Sequence, residues 1–185
     1  KGIKTALKEA GKGLSADGLL TVKRHSVAAT NAAKSENWPV VWKRSQAILE
    51  LIEVGKWAEQ AKSAQANSLA KMRAQLAALK ERFVPGQVAA AWRELLALAE
   101  ATKDTPFARK VMALKKKVER DKTLKDDISA IKTEMEAESI WDEADGLLRR
   151  GEERKATKLL KKLLGKKFTG TKTQARVRER FPELG

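Results

Sequence analysis

The sequence predicts an all-α fold of stacked helical hairpins, a short solenoid closed by a C-terminal capping helix. Three observations carry that expectation. First, stretches of the chain align with one another. Val41-Trp42-Lys43-Arg44 with Ile48 falls on Ala91-Trp92-Arg93-Glu94 with Leu98 at an offset of 50, and the same offset brings Trp57-Ala58 over Phe107-Ala108. At an offset of 65, Gly86 falls on Gly151, Ala91 on Ala156, Leu95 on Leu160 and Leu98 on Leu163. Internal similarity of this kind marks supersecondary units that bury their apolar faces only by stacking. Second, 42% hydrophobic and 34% charged residues fit long helices with one solvated face, and exclude wholesale disorder. Third, Ala156, Leu159, Leu160, Leu163 and Leu164 recur at i, i+3, i+4, i+7 and i+8, an apolar stripe of helical period.

Taken in order, residues 1–14 read as a lead-in helix or linker, with Ile3, Ala6, Leu7 and Ala10 at helical spacing before the Gly11-Lys12-Gly13 break. A helical-repeat domain is expected over 15–185. Ser15 with Asp17 looks like the start of a helix running to about Ser35. Asn37 opens the next helix at Trp38-Pro39, because proline suits a first turn. That helix carries Val41, Ile48, Leu49 and Ile52 and is expected to end near Gly55, completing a hairpin over about 15–55.

The second hairpin, about 57–102, is a helix from Trp57 to Phe83, the turn Val84-Pro85-Gly86, and a helix through Trp92, Leu95, Leu96 and Leu98. Proline stops the incoming helix there and glycine supplies unusual backbone angles. Thr105-Pro106 reads as a cap followed by proline at the first helical position, opening a connecting helix over about 106–120. Beyond Arg120 two readings stand, a fresh helix capped by Thr123 or Asp126 and one long helix continuing to about Arg150; a break or kink near Asp121 to Thr123 is the favoured expectation. The third hairpin, about 124–165, pairs Ile140, Trp141, Ala144, Leu147 and Leu148 with the stripe from Ala156 to Leu164, across the turn Arg150-Gly151-Glu152. Thr171 then caps the last helix, about 171–181, which ends at Phe181-Pro182.

Charge is unevenly spread over a chain of formal net charge +15. Residues 126–145 hold eight carboxylates against Lys132, net −7, whereas 103–125 carries +6 and 149–180 carries +10. The acidic stretch reads as a solvated helix face pairing with the basic segments on either side. Such basic segments attract acidic surfaces or phosphate backbones. Lys155, Lys158, Lys161 and Lys162 flank the apolar stripe and are candidate partner contacts. No glycine-rich phosphate loop, zinc-finger spacing or aromatic-basic ribonucleoprotein motif accompanies them.

Catalytic, metal and cofactor chemistry has no constellation in this sequence. With no cysteine there is no thiol catalysis, thiolate metal site or disulfide, and the lone His25 lacks a second histidine for a relay or a metal cluster. Glu138 and Asp142 lie one helical turn apart, but the glycine-bearing turns and alternating ligands of oxygen-donor metal loops are missing. No catalytic residue, metal or cofactor is expected. No stretch approaches the roughly 20 apolar residues that span a bilayer. The start, Lys1-Gly2-Ile3-Lys4, looks processed or excised rather than like a signal peptide.

Tryptophan is abundant, with five residues and no tyrosine beside them. A ligand-stacking groove is one reading of that surplus. Trp42 and Trp92, which share an aligned position and are expected in equivalent environments, and Trp141, on an apolar face, read instead as packing between helices. Trp38, beside a turn and next to Pro39, is the candidate for partner contact.

From Ala137 to Leu184 the order is helix, glycine turn, alanine-led helix, loop, capping helix, marked by Ala144, Leu147-Leu148, Gly151, Ala156, Leu159-Leu160 and Ala175-Arg176. In these residues the chain resembles the tetratricopeptide-repeat class of α-solenoids, and the likeness extends as architecture over Ser15 to Leu184. The resemblance implies a concave face that grips peptides or partner domains, and similar tandem units occur in bacterial cell-envelope proteins, which favours the envelope or periplasm of a bacterium over the cytoplasm. The expected function is a non-catalytic protein-interaction or scaffold module, its partner a protein with an acidic surface met by Trp38, Lys155, Lys158, Lys161, Lys162 and Arg176. The alternative is polyanion or nucleic-acid binding by the basic C-terminal helices.

Overall fold

The structure is a computed structural model and describes residues 14–184; the lead-in expected ahead of residue 14 lies outside them. Among the described residues there are eight α-helices and no strand: α1 Ala16–Lys34, α2 Trp38–Leu51, α3 Lys56–Lys80, α4 Val88–Thr102, α5 Ala108–Arg120, α6 Lys125–Arg149, α7 Glu153–Leu163 and α8 Lys172–Arg180. Adjacent helices pack as hairpins, so the fold is all-α. Single-turn 3₁₀ segments follow α7 at Lys166–Phe168 and α8 at Pro182–Leu184. The chain falls into two compact units, residues 14–83 with 90–118, and residues 84–89 with 119–184.

In the first unit, local chemistry sets the helix boundaries. Ser15 accepts a hydrogen bond from the Gly18 N–H and Asn37 accepts one from Val40, so both expected caps open their helices. At the end of α1 the N–H groups of Asn37 and Glu36 reach back to the carbonyls of Ala32 and Ala33. This Schellman closure puts Glu36 at φ 55, where glycine is the usual occupant. Helix α2 stops at Leu51, short of the expected end near Gly55, because Ile52 is extended. Gly55, at φ 95, serves instead as the N-cap of α3.

Helices α1 and α2 pack on each other, as do α2 and α3. Val22, Ile48, Ile52, Ala58 and Ala61 form a buried cluster there, with Leu14, Leu49 and Trp57 half-buried against it. Lys43 reaches Asp104 at 2.9 Å, and Arg82 is paired with Glu94. The expected connecting helix begins at Ala108 rather than at Pro106. The Thr105 hydroxyl accepts from Phe107 and donates to the Thr102 carbonyl, which holds the intervening residues in a turn. The tryptophans expected to be equivalent are not alike in burial: Trp92 is fully buried, Trp42 only partly. Other aligned positions agree only in part: Val41, Ala91 and Ala156 are buried, as are Leu95 and Leu160, and Gly86 and Gly151 lie at φ 80 and φ 74, but Trp57 is half-buried where Phe107 is buried and Ala58 is buried where Ala108 is half-buried.

In the second unit, the break after Arg120 is present, but neither Thr123 nor Asp126 caps α6. Asp121 accepts from the Thr123 N–H and hydroxyl, a side-chain turn that ends one helix, and Leu124 occupies the N-cap position. Gly151 closes α6 in a second Schellman motif, its own N–H donating to the Leu148 carbonyl and that of Glu152 to Leu147. The hairpin of α6 and α7, covered by α8, encloses Ala137, Ile140, Trp141, Ala144, Leu160, Leu163, Phe168 and Val177. Of the apolar stripe, Ala156, Leu160 and Leu163 are buried, while Leu159 and Leu164 are half-buried at its edges. A stripe five residues wide exceeds what one facing helix covers, so its margins stay partly in water.

The carboxylates of α6 act as docking points for this unit. Asp127 accepts from the Gly86 N–H at 2.7 Å, Glu136 pairs with Lys167 at 2.5 Å, and Asp145 pairs with Arg149 at 2.5 Å and Arg180 at 3.4 Å. Glu134 accepts from the N–H groups of Lys172 and Thr173 and from the Thr173 hydroxyl, so a carboxylate sits on the positive N-terminus of α8. Burial pushes its carboxyl up, but these hydrogen bonds and the Lys172 charge outweigh that and hold it below the ordinary value of 4.5. A lowered folded value stabilises above the unfolded value and is lost as pH falls through the folded one. We therefore expect Glu134→Gln to cost about 1 kcal/mol at neutral pH, the half-exposed position reducing the full worth of a charged hydrogen bond. Melting curves of parent and variant should converge as pH drops well below 4.5. A difference that persists unchanged in acid would show that the carboxylate charge is not what holds α8.

Candidate functional site

Three surfaces stand out, and they divide the expected contact residues among them. The first is a trough of about 500 Å³ in the first unit, formed by α1, α2 and α3. Its floor is the face of α2 that carries Trp38, Val41, Ser45 and Ile48, ten helical steps end to end and so about 15 Å long. The walls are mostly small: Ala29 and Ala33 on α1, Ala61 and Ala64 on α3. Trp38 and Trp57 occupy the first turns of antiparallel helices, so the two indoles stand at opposite ends. Lys71 lies with its Nζ 5.8 Å from the centroid of the Trp38 ring. Ser45 is 1% exposed, yet its Oγ has no hydrogen-bond partner, and neither has the buried Nε1 of Trp57. Each such group costs about 1 to 3 kcal/mol when left unpaired.

The second surface, also in the first unit, is a groove of about 250 Å³ between α3 and α5. Leu76, Ala77, Phe107 and Leu114 give it an apolar floor, and Arg73, Lys80 and Lys110 surround that floor with positive charge. Among the described residues no carboxylate lines it. Sequence reasoning passed over these residues, although the signal was present. Arg73, Leu76, Ala77 and Lys80 share one face of a helix by spacing, as do Phe107, Lys110 and Leu114.

The third is the basic surface of α7 and α8 in the second unit. Lys158, Lys161 and Lys162 are exposed on α7 and have no carboxylate partner among the described residues. Lys155 is held by Glu152 at 2.5 Å. Arg176 is exposed, and its guanidinium lies 4.3 Å from the Trp141 ring centroid, with Arg180 at 5.5 Å. Cation and indole together close the top of the core, where Trp141 also meets Phe181 at 6.3 Å. The expected contact set is thus split, with Trp38 in one unit and Lys155, Lys158, Lys161, Lys162 and Arg176 in the other.

Comparison with known protein families, with curated proteins and with solved structures returns no match to this chain. Among the described residues no cluster of three or more His, Asp or Glu side chains is placed to hold a metal ion. No helix among them is long and apolar enough to cross a membrane.

Proposed function

We propose that this chain is a non-catalytic protein-interaction module of a larger bacterial protein or assembly, a tetratricopeptide-like scaffold that takes an acidic, apolar-faced segment of a protein partner. The observation that carries the reading is the groove between α3 and α5, an apolar floor ringed by Arg73, Lys80 and Lys110. Apolar contact supplies affinity and the surrounding cations supply steering and register, the division of labour found in protein interfaces. A partner recovered by affinity capture should lose at least about tenfold in affinity on Leu76→Asp, since a carboxylate then sits on the floor that must be desolvated. Reversal of Arg73, Lys80 and Lys110 to Glu should lower the association rate and flatten its salt dependence. Retention of full affinity by both variants would remove this groove as the docking surface.

Binding of a polyanion is the second reading, favoured by the unpaired Lys158, Lys161 and Lys162 on one exposed face. Under it, affinity for generic DNA or RNA falls linearly on a log-log salt plot, and charge reversal at the three lysines reduces that slope by about three. Under the scaffold reading, nucleic-acid binding at physiological salt is weak and insensitive to those lysines. Tight, salt-steep binding of nucleic acid with no protein partner recovered would replace the first reading with the second.

A further inference from the structure

We infer that the trough between α1, α2 and α3 is a binding site for a small, uncharged, ring-bearing molecule that carries a hydrogen-bond acceptor. This goes beyond the scaffold reading and uses none of the groove between α3 and α5. The charge of the lining is the first ground. In a chain with 34% charged residues, every described side chain lining the trough is neutral. Lys71 stands at the Trp38 end, so a charged group lying toward Trp57 finds no counterion in the lining for the hydration it would lose.

Shape is the second ground. Two indoles face a slot bounded by Ala29, Ala33, Ala61 and Ala64, and small side chains leave room for a flat body to lie on aromatic surface. A volume of about 500 Å³ lies in the range of sites for small organic ligands, and suits a molecule of about twenty heavy atoms.

Hydrogen bonding is the third ground, and it sets the orientation. Trp57 Nε1 is a donor only, so its partner must be an acceptor such as a ketone or amide oxygen or a ring nitrogen. The Ser45 hydroxyl, near the middle of the floor, can donate to the same molecule or accept from it. Both atoms belong to residues that line the trough, and both are covered in the free protein, so a ligand reaches them as the lining side chains shift. A ligand that satisfies them gains hydrogen bonds that the free protein does not make.

The test uses the full chain and a named probe, the neutral naphthyl ketone 6-propionyl-2-dimethylaminonaphthalene, beside an analogue with a carboxylate in place of the ketone. Binding is read by energy transfer from tryptophan and by the indole ¹H–¹⁵N resonances, with that of Trp57 assigned through Trp57→Phe. The neutral probe should bind one to one and move the Trp57 Nε1–H resonance downfield. Ser45→Ala should weaken it roughly three- to tenfold, the factor of one hydrogen bond. Ala64→Phe fills the slot and should abolish binding, and the carboxylate should bind at least about tenfold more weakly than the ketone. A Trp57 resonance that stays in place at saturation would overturn the assignment, as would a carboxylate bound as tightly through the same resonances. Should Ala64→Phe fail to fold, Ser45→Ala and the Trp57 resonance decide. If the probe does not bind and a folded Ala64→Phe instead abolishes capture of the protein partner, the trough is a protein-docking surface and the small-molecule inference is wrong.

Discussion

Leu160→Asp should unfold the second unit. Leu160 is 2% exposed in a cluster with Ala144, Trp141, Leu163 and Val177, so the new carboxylate is buried among apolar side chains. Losing the leucine contacts costs about 2 to 5 kcal/mol, and burying an unpaired polar group adds several more. The sum rivals the roughly 5 to 15 kcal/mol by which a whole domain is stable. Leu159→Asp on the same helix is the control. Its position is half-buried, and a carboxylate there can turn toward water. Circular dichroism melts and limited proteolysis should show a lost or much earlier transition for the first substitution and a modest shift for the second. Equal behaviour of the two variants would mean that the observed face of α7 is not the core face.

Helix starts were legible because one side chain decides them: Ser15, Asn37 and Thr171 each accept from the backbone N–H three residues on. Glycine turns were legible for a similar reason, since Gly86 and Gly151 adopt positive φ that other residues avoid. Helix ends were less so. α2 stops at Leu51 because of a backbone conformation at Ile52 that no local residue type announces.

Function sites lay further from view, because they are made between helices. Periodicity places Leu76, Ala77, Phe107 and Leu114 on apolar or mixed faces, but cannot say that two faces leave a groove between them instead of closing. Ser45 and Trp57 are ordinary helix residues in the sequence. Their unpaired buried atoms become visible only when α1, α2 and α3 are assembled. Arg176 shows the converse. Read from sequence as a contact for a partner, it remains exposed but also stacks on Trp141, a pairing that no local pattern announces.

The largest effect in the first unit is expected from Trp92→Ala. Trp92 is 0% exposed, with Leu95 on the same helix face equally buried, so truncation removes a whole indole from close-packed surroundings and leaves a void they fill only in part. Substitutions of this kind cost about 3 to 5 kcal/mol. Trp42→Ala, at the aligned position, removes the same atoms from a site that solvent already reaches, and should cost about 1 to 2 kcal/mol by the apolar area lost. Denaturant titrations of both variants measure the two values directly, with the slope checking that the unfolding transition stays cooperative. A pair of equal costs would indicate equivalent packing at the two positions despite their different exposure, which is the outcome a regular repeat demands. The expected twofold or greater disparity means instead that the aligned helices have diverged in what they bury, Trp92 as core and Trp42 as half-buried cover.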